Sequence, residues 1–553
     1  MNKPFAITLD PGSSLANKTG SWRTERPVYT DLMPPCNHAC PAGENIQRWL
    51  YQGEDGSYEQ AWRQIMADNP LPAVMGRVCY RPCETACNRG QLDSAVGINS
   101  VERFLGDEAI KRGWIVPVTA PDSGKHVLVV GAGPSGLSAA YHLRLLGHRV
   151  TLRDLAPLAG GMMRYGIPAY RLPRAVLDAE IDRILAMGVT FVQSKVTNLS
   201  QTMAEDGFDA AFLAVGAQQG RRAYIPAGDS AKILDALTLL HATADGEPAR
   251  LGRRVAVYGG GNTAMDAART ARRLGATDAV VVYRRTRDRM PAHHIEVEEA
   301  ADEGVRIMWL STIAQADQGK LVIERMRLDE QGFPQPTGEF TELAADTVVL
   351  ALGQETELSL LDGVPGVTVS DGVVEVGPDL MTGCPGIFAG GDMVPAERTV
   401  TVGIGHGKKA ARSIDAWLRS GGNGAARAGA AAQATSAMTA EPRLADFDRL
   451  NTWYYSDAPA TVRPQLDAAR RISSFDEVTG GLDESTALFE ARRCLSCGNC
   501  FECDNCYGVC PDNAVIKLGA GQRYEIDLEY CKGCGICAAE CPCGAIDMVP
   551  ECI

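Results

Sequence analysis

The run His126-Val127-Leu128-Val129-Val130-Gly131-Ala132-Gly133-Pro134-Ser135-Gly136 decides the fold. A short apolar strand runs into three glycines, and Leu137-Ser138-Ala139-Ala140-Tyr141 then begins a helix. Gly131 permits the tight turn, and Gly133 lets the backbone approach a pyrophosphate. Gly136 lets helix and strand pack closely, with Pro134 and Ser135 inside the turn. The helix N-terminus supplies N–H donors and a partial positive charge. An acid about 20 residues downstream is needed to bind ribose hydroxyls. Asp154, closing Arg149-Val150-Thr151-Leu152-Arg153, stands there. The glycines alone are a weak signal, but with strand, helix and acid in register they predict a dinucleotide site.

A second turn follows, Val255-Ala256-Val257-Tyr258-Gly259-Gly260-Gly261-Asn262-Thr263-Ala264, again between a strand and a helix. The next strand, Ala279-Val280-Val281-Val282-Tyr283, ends in Arg284-Arg285 where the first site has an acid. Guanidinium groups suit a 2′-phosphate, so this site favours NADP over NAD, with NAD the open alternative. From Lys125 to about residue 418 strand and helix patterns alternate. That alternation indicates an α/β fold on parallel sheets, with two Rossmann-like dinucleotide-binding domains.

The totals set the wider frame. The 553 residues, 45% of them hydrophobic, are enough to bury several cores. A net charge of -14 repels phosphate backbones and anionic lipid, so nucleic acid and membrane surfaces are excluded as expected partners. No apolar run approaches the ~20 residues a membrane span needs. Met1-Asn2-Lys3-Pro4-Phe5 lacks the basic and then apolar pattern of an export signal, so the expected location is cytoplasmic.

Cysteine is the informative residue type. Of 18 in the chain, 12 fall in the last 60 residues and 5 between positions 36 and 87, leaving only Cys384 in the long middle. Disulfides are reduced in cytosol, so clustered thiolates there point to metal. Cys500-x2-Cys503-x2-Cys506-x3-Cys510-Pro511 and Cys531-x2-Cys534-x2-Cys537-x3-Cys541-Pro542 both match the bacterial ferredoxin run. Three cysteines of each run grip one cluster and the fourth ligates the other. Cys500, Cys503, Cys506 and Cys541 are therefore expected to hold one [4Fe–4S] cluster, and Cys531, Cys534, Cys537 and Cys510 a second. A zinc site needs only four such ligands and leaves the doubling unexplained.

Thr382-Gly383-Cys384-Pro385-Gly386-Ile387-Phe388-Ala389-Gly390-Gly391-Asp392 completes a fingerprint with the two glycine turns. It resembles the two-dinucleotide-domain flavoproteins, whose FAD domain is interrupted by an inserted nicotinamide domain. Gly160-Gly161-Met162-Met163-Arg164-Tyr165-Gly166-Ile167-Pro168 is more specific, and with Tyr283-Arg284-Arg285-Thr286-Arg287 resembles the glutamate synthase small-subunit and dihydropyrimidine dehydrogenase flavin-domain family. The resemblance runs from about Cys36 to Arg412 and implies that Gly161, Arg164, Gly391, Asp392 and Thr399 face FAD. Disulfide reductases share the architecture but need a cysteine pair beside the flavin. The α/β region offers Cys384 alone, so electrons are expected to leave through clusters.

The front group, Cys36-x3-Cys40-Pro41 and Cys79-x3-Cys83-x3-Cys87, looks like that family's N-terminal iron–sulfur domain, which implies one or two clusters. The family usually places an Arg-Cys-x-x-Cys pair before the first of these, and here it is missing. Arg493-Cys494-Leu495-Ser496-Cys497 carries that wording near the other end. We expect a relocated pair: Cys494 and Cys497 join Cys36 and Cys87, while Cys40, Cys79 and Cys83 use Glu102 where the family has a non-cysteine ligand. The alternative leaves the pair free and the front domain with one cluster. The Glu296-Glu298-Glu299 run reads as a solvated helix face.

The expected domains are a helical iron–sulfur domain (1–120), an FAD domain (121–250 and 350–418) and an inserted NAD(P) domain (251–349). A flexible linker (419–440), a lead-in segment (441–493) and an α+β ferredoxin-like domain (494–553) follow. The resemblance implies an FAD- and iron–sulfur-dependent NAD(P)H oxidoreductase. Its expected setting is a hetero-oligomer with a catalytic partner subunit of glutamate synthase, pyrimidine dehydrogenase or 2-oxoacid/aldehyde oxidoreductase type. The competing function is a freestanding ferredoxin:NAD(P)+ oxidoreductase, with ferredoxin as partner.

Overall fold

The computed structural model describes residues 18–221, 225–226, 232–421 and 442–551. Cys552 and most of the expected linker lie outside these residues.

His126–Val130 is buried from its second residue on, as a near-continuous apolar run in a parallel sheet should be. It sits at the centre of five parallel strands in the order Ile387–Ala389, Ala210–Leu213, His126–Val130, Arg149–Asp154, Val189–Gln193. Strand order reverses beside His126–Val130, so the first glycine turn opens at a topological switch point, where α/β sheets bind ligands. The helices Pro134–Leu145 and Val400–Arg419 pack together on one face.

A second parallel sheet repeats the plan with Arg306–Met308, Asp278–Val282, Arg254–Tyr258, Thr347–Leu350 and Ile233–Asp235. Ile233–Asp235 pairs with Thr347–Leu350, so the inserted unit takes in strand and helix residues upstream of 251 that the sequence reading gave to the first domain. The two segments joining the units, Gln219–Gly220 and Gln354–Glu355, run antiparallel side by side. An antiparallel sheet of Ser311–Asp317, Lys320–Leu328 and Pro334–Ala344 flanks the inserted unit.

The front of the chain is helical because its apolar residues recur at helical spacing. In Ile46–Glu54 the buried residues are Ile46, Trp49, Leu50 and Gly53, one stripe at i, i+3, i+4 and i+7. Asn45 caps this helix by accepting the N–H of Arg48. Trp49, Trp62, Ile65 and Leu105 form the core beneath the front cysteines. This domain is not wholly helical. Glu25–Tyr29 is a strand that pairs antiparallel with Ile546–Pro550, so the start of the described chain completes a sheet at its far end. The lead-in segment crosses the front domain, and its helix Glu484–Ala491 packs on Ile46–Glu54 and Ile98–Arg112. Among the described residues no helix is long and apolar enough to cross a membrane.

Candidate functional site

Both glycine turns open into one cleft of about 1310 Å³, walled by Gly133, Pro134, Ser135, Asp154 and Gly161 on one side and Gly259, Gly261, Asn262 and Thr263 on the other. That volume exceeds the ~300–1,000 Å³ of ordinary ligand pockets and leaves room for two dinucleotides. Gly131 has φ of 103°, and a side chain there would meet the Ala214 carbonyl oxygen at 2.2 Å, so the turn itself requires glycine. Gly136 packs on the same turn, where a Cβ would lie 1.8 Å from the Gly131 carbonyl oxygen. Gly133 and Gly261 are different. A Cβ on Gly261 would meet nothing within 4 Å, and one on Gly133 only the Gly161 Cα at 3.9 Å. Among the described residues no protein atom fills the space beside these two glycines, so their backbone lies open to the cleft. Ser135 Oγ is buried with no hydrogen-bond partner among the described residues, facing the same space.

Two acids, Asp154 and Asp392, line the cleft. Asp154 accepts the N–H of Ala132 at 2.6 Å and of Ala156 at 2.8 Å. Burial nonetheless raises its carboxyl above the usual range. Asp392 lines the cleft beside Gly391, and burial lifts its carboxyl too, against the pull of Arg398. Thr399, also on the wall, caps Val400–Arg419 by accepting the Val402 N–H at 3.2 Å. Arg164 is not on this wall. Its guanidinium turns into the Ala159 carbonyl and Asp178, so it braces the loop behind the cleft instead of facing a ligand. Cys384 is off the wall as well.

On the nicotinamide side, Asn262 Oδ1 accepts the His293 N–H at 2.8 Å, and Gln354 donates to Thr263 at 3.4 Å. Arg284 and Arg285 both reach the cleft. Arg285 Nε is buried without a partner among the described residues, a donor left for an anion. The donor sets of both halves fit FAD and NADP(H).

The two units are held together by buried charge. Arg171, from the glycine-loop side, pairs with Asp266 at 2.8 Å and with Glu296. Arg269 pairs with Glu299 and Glu303, and the Tyr170 ring lies between Arg269 and Arg273, 4.9 and 3.6 Å from their guanidinium carbons. Glu296 is 5% exposed, so the Glu296-Glu298-Glu299 run is not a solvated face; only Glu298 points out. The apolar neighbours Ile295, Val297 and Ala300 gave no sequence signal of partners brought in from another domain.

The cysteines fall into four places. Cys36, Cys87, Cys494 and Cys497 wall one small cavity. Cys510, Cys531, Cys534 and Cys537 wall another. Burial pushes the Cys83 thiol well up, and Cys79, Glu84, Cys40 and Glu102 nearby add to it. Burial likewise raises Cys500 to about 11, with Cys506 and Cys541 as neighbours, and Cys541 also bears on Cys503. Among the described residues no three such side chains close on a point as ligands of a single ion do. The Cys36 and Cys510 sets ring small cavities, and cavities of this kind fit a multi-iron cluster. Burial raises the Cys36, Cys40, Cys79, Cys83, Cys494 and Cys497 thiols, whereas the hydrogen bond with Cys543 lowers Cys541. A cluster bound at the raised thiols would draw them to thiolate. Backbone N–H groups already aim at sulfur: Ser496 at Cys494 (3.4 Å), Ala514 at Cys510 (3.2 Å) and Ala545 at Cys541 (3.4 Å).

Glu102 is buried and its carboxyl is pushed up by burial and by Glu44; Asn69 donates to both at 2.9 and 3.0 Å. Two contacts escaped sequence reading. Tyr29 Oη lies 3.2 Å from Cys506 Sγ, and Thr401 Oγ1 donates to Cys79 Sγ at 3.3 Å. Neither hydroxyl sits in a motif, and only the fold brings it to its sulfur.

Comparison with known proteins agrees with this geometry. The family model "pyridine nucleotide-disulphide oxidoreductase" matches residues 125–413, "dihydropyrimidine dehydrogenase domain II, 4Fe-4S cluster" matches 24–114, and "4Fe-4S binding domain" matches 524–547. The NADP(+)-dependent formate dehydrogenase subunit beta of Moorella thermoacetica is 37% identical over 527 residues, covering 86% of this chain and 71% of the relative. The NADPH-Fe(3+) oxidoreductase subunit beta of Geobacter sulfurreducens is 32% identical over 84% of this chain and 75% of its own length. The glutamate synthase [NADPH] small chain of Azospirillum brasilense is 33% identical over 70% of this chain and 87% of its own length. The chain thus belongs to the pyridine nucleotide-disulphide oxidoreductase family, as an FAD- and iron–sulfur-dependent NAD(P)H oxidoreductase with iron–sulfur domains on both flanks.

Proposed function

We propose that the chain is the nicotinamide-handling subunit of a larger oxidoreductase, moving electrons between NADPH and a partner subunit through FAD and four [4Fe–4S] clusters. The observation that carries this reading is the shared cleft: both glycine turns open into it, and Thr401 on its wall touches the cluster cysteine Cys79. When bound, FAD exchanges an electron pair with nicotinamide and single electrons with iron–sulfur clusters.

The chain's own residues do the placing. Gly131, Gly133, Gly136, Ser135 and Asp154 hold the FAD adenosine and pyrophosphate, and Gly161, Gly391, Asp392 and Thr399 hold the flavin half. Gly259, Gly261, Asn262 and Thr263 cradle the nicotinamide nucleotide, and Arg284 and Arg285 take the 2′-phosphate. The four cysteine sets are those expected from sequence, with Glu102 completing the Cys40, Cys79 and Cys83 site. Residues 494–553 carry nine carboxylates against three Lys/Arg, so the partner subunit docks there through a basic patch. The beta-subunit names of the formate dehydrogenase and NADPH-Fe(3+) oxidoreductase relatives support a complex of this kind. Buried, unpaired thiols also suit a reducing compartment, the cytoplasm.

The test is anaerobic purification followed by NADPH-driven reduction of a one-electron viologen. The expected sample carries FAD and acid-labile sulfide and reduces the dye. A yellow protein without labile sulfide refutes the proposal.

A further inference from the structure

Thr401 and Cys79 stand 322 positions apart in the chain and belong to different domains. Cys79 closes the helix Pro72–Val78 of the front domain, and Thr401 is the second residue of Val400–Arg419 in the dinucleotide domain. Thr401 is 6% exposed and lines the cleft with Thr399 and Gly403, so it stands between the flavin space and the front cysteines. Its hydroxyl donates to Cys79 Sγ at 3.3 Å. A second donor to the same sulfur, the Arg81 N–H at 3.3 Å, belongs to the cysteine's own loop. Among the described residues the Thr401 bond is therefore the hydrogen bond to this sulfur that depends on how the two domains dock.

That docking is built closely. Gly405, one turn on, approaches the front domain so nearly that a Cβ would lie 2.1 Å from the Pro41 carbonyl oxygen. Lys408 then donates to the carbonyls of Ala42 and Gly43 and pairs with Asp68 at 3.0 Å. The N-terminal turn of Val400–Arg419 is thus clamped against the Cys40 loop, and Thr401 has little freedom to leave the sulfur.

We propose that Thr401 is a positioning residue that tunes the front cluster nearest the flavin. By donating to Cys79 Sγ it withdraws electron density from a cluster ligand, holding that cluster easier to reduce, as hydrogen bonds to cluster sulfurs do. The proposal rests on Cys40, Cys79 and Cys83 holding a cluster. Helix capping does not occupy the hydroxyl, because Thr399 does it.

The experiment uses the full chain with its cofactors and compares T401V, T401A and T401S with the unaltered protein. Iron and labile sulfide per chain are measured first, and each cluster's midpoint potential is then read by anaerobic EPR-monitored redox titration. The expected result is that one midpoint, and one only, moves to more negative potential in T401V and T401A. T401S, which keeps the O–H, stays near the unaltered value. Electron arrival at that cluster, measured against flavin bleaching in the same variant, slows in T401V and T401A and not in T401S. Full iron content with an unshifted midpoint in T401V or T401A overturns the proposal. Loss of a cluster in both, with retention in T401S, also overturns it, because the hydroxyl is then a structural support. Loss of iron in a C79A control with no change at the front cluster's signal would instead sink the ligand assignment beneath it.

Discussion

Cys36 and Cys494 wall the same cavity, although one stands near the start of the chain and the other near its end. Cys87 and Cys497 complete the wall, and Arg493 fixes the approach by donating to Ala95 and Ser94 carbonyls and pairing with Asp93 at 3.2 Å. A cluster bound here is a cross-link between front and tail. The double variant C494A/C497A should lose one cluster's share of iron and sulfide and unfold at lower temperature, with the two tail clusters retained. Iron analysis and a melting curve check it; unchanged iron rules out the shared site.

Arg284 and Arg285 predict a cofactor preference. A charge-assisted hydrogen bond is worth roughly 1.5–3 kcal/mol, about ten- to a hundredfold in binding. R285Q should therefore weaken NADPH by that factor in flavin-bleaching titrations while leaving NADH almost unaffected. Equal weakening of both would remove the 2′-phosphate role.

Glu303 tests the ionic lock inside the inserted unit, against which Tyr170 of the other unit packs. It is fully buried and bonded by Arg269 and Arg273. Burial alone would raise its carboxyl, but the hydrogen bonds from Arg273 and Arg269 outweigh it and hold it below the usual range. Removing one partner of such a pair leaves a buried charge uncompensated, at about 3–5 kcal/mol. R269M should lower chemical stability by about that amount and loosen the nicotinamide unit in hydrogen exchange. A change under about 1 kcal/mol would show that the lock is not structural.

Glu180 supplies a pH dependence. It is fully buried, accepts the N–H groups of Ala73 and Val74 at 3.0 and 2.9 Å, and burial lifts its carboxyl to about 7. A carboxyl with a raised folded value binds more protons folded than unfolded, so stability falls as pH climbs from about 4.5 to 7. The full effect is of order 3 kcal/mol. Denaturation across that window should show the decline, and E180Q should make it shallower by Glu180's share, because burial lifts Glu44, Glu54 and Glu296 as well. An unchanged slope would assign the dependence to other groups.

Much of this was legible in sequence because short-range spacing carries it. The two glycine turns that open into the cleft were legible, since a strand, a turn and a helix are local and steric. The ferredoxin runs are equally local, and Cys510 of one run walls a cavity with Cys531, Cys534 and Cys537 of the other. What spacing could not give is contact between distant segments. Pairing of Glu25–Tyr29 with Ile546–Pro550, burial of Glu296, and the turn of Arg164 away from the cleft depend on partners brought by tertiary packing. The inserted unit's first strand was missed because Ile233-Leu234-Asp235 is too short to show a period.

The most direct measurement of the central claim is a stepwise anaerobic titration with NADPH, followed by flavin absorbance and by EPR of the same samples. Electron passage from the nicotinamide cleft to the clusters predicts that cluster signals grow as the flavin band bleaches, with more than one NADPH consumed per flavin. A flavin that bleaches after a single equivalent, with every cluster still oxidised and EPR-silent, would contradict it.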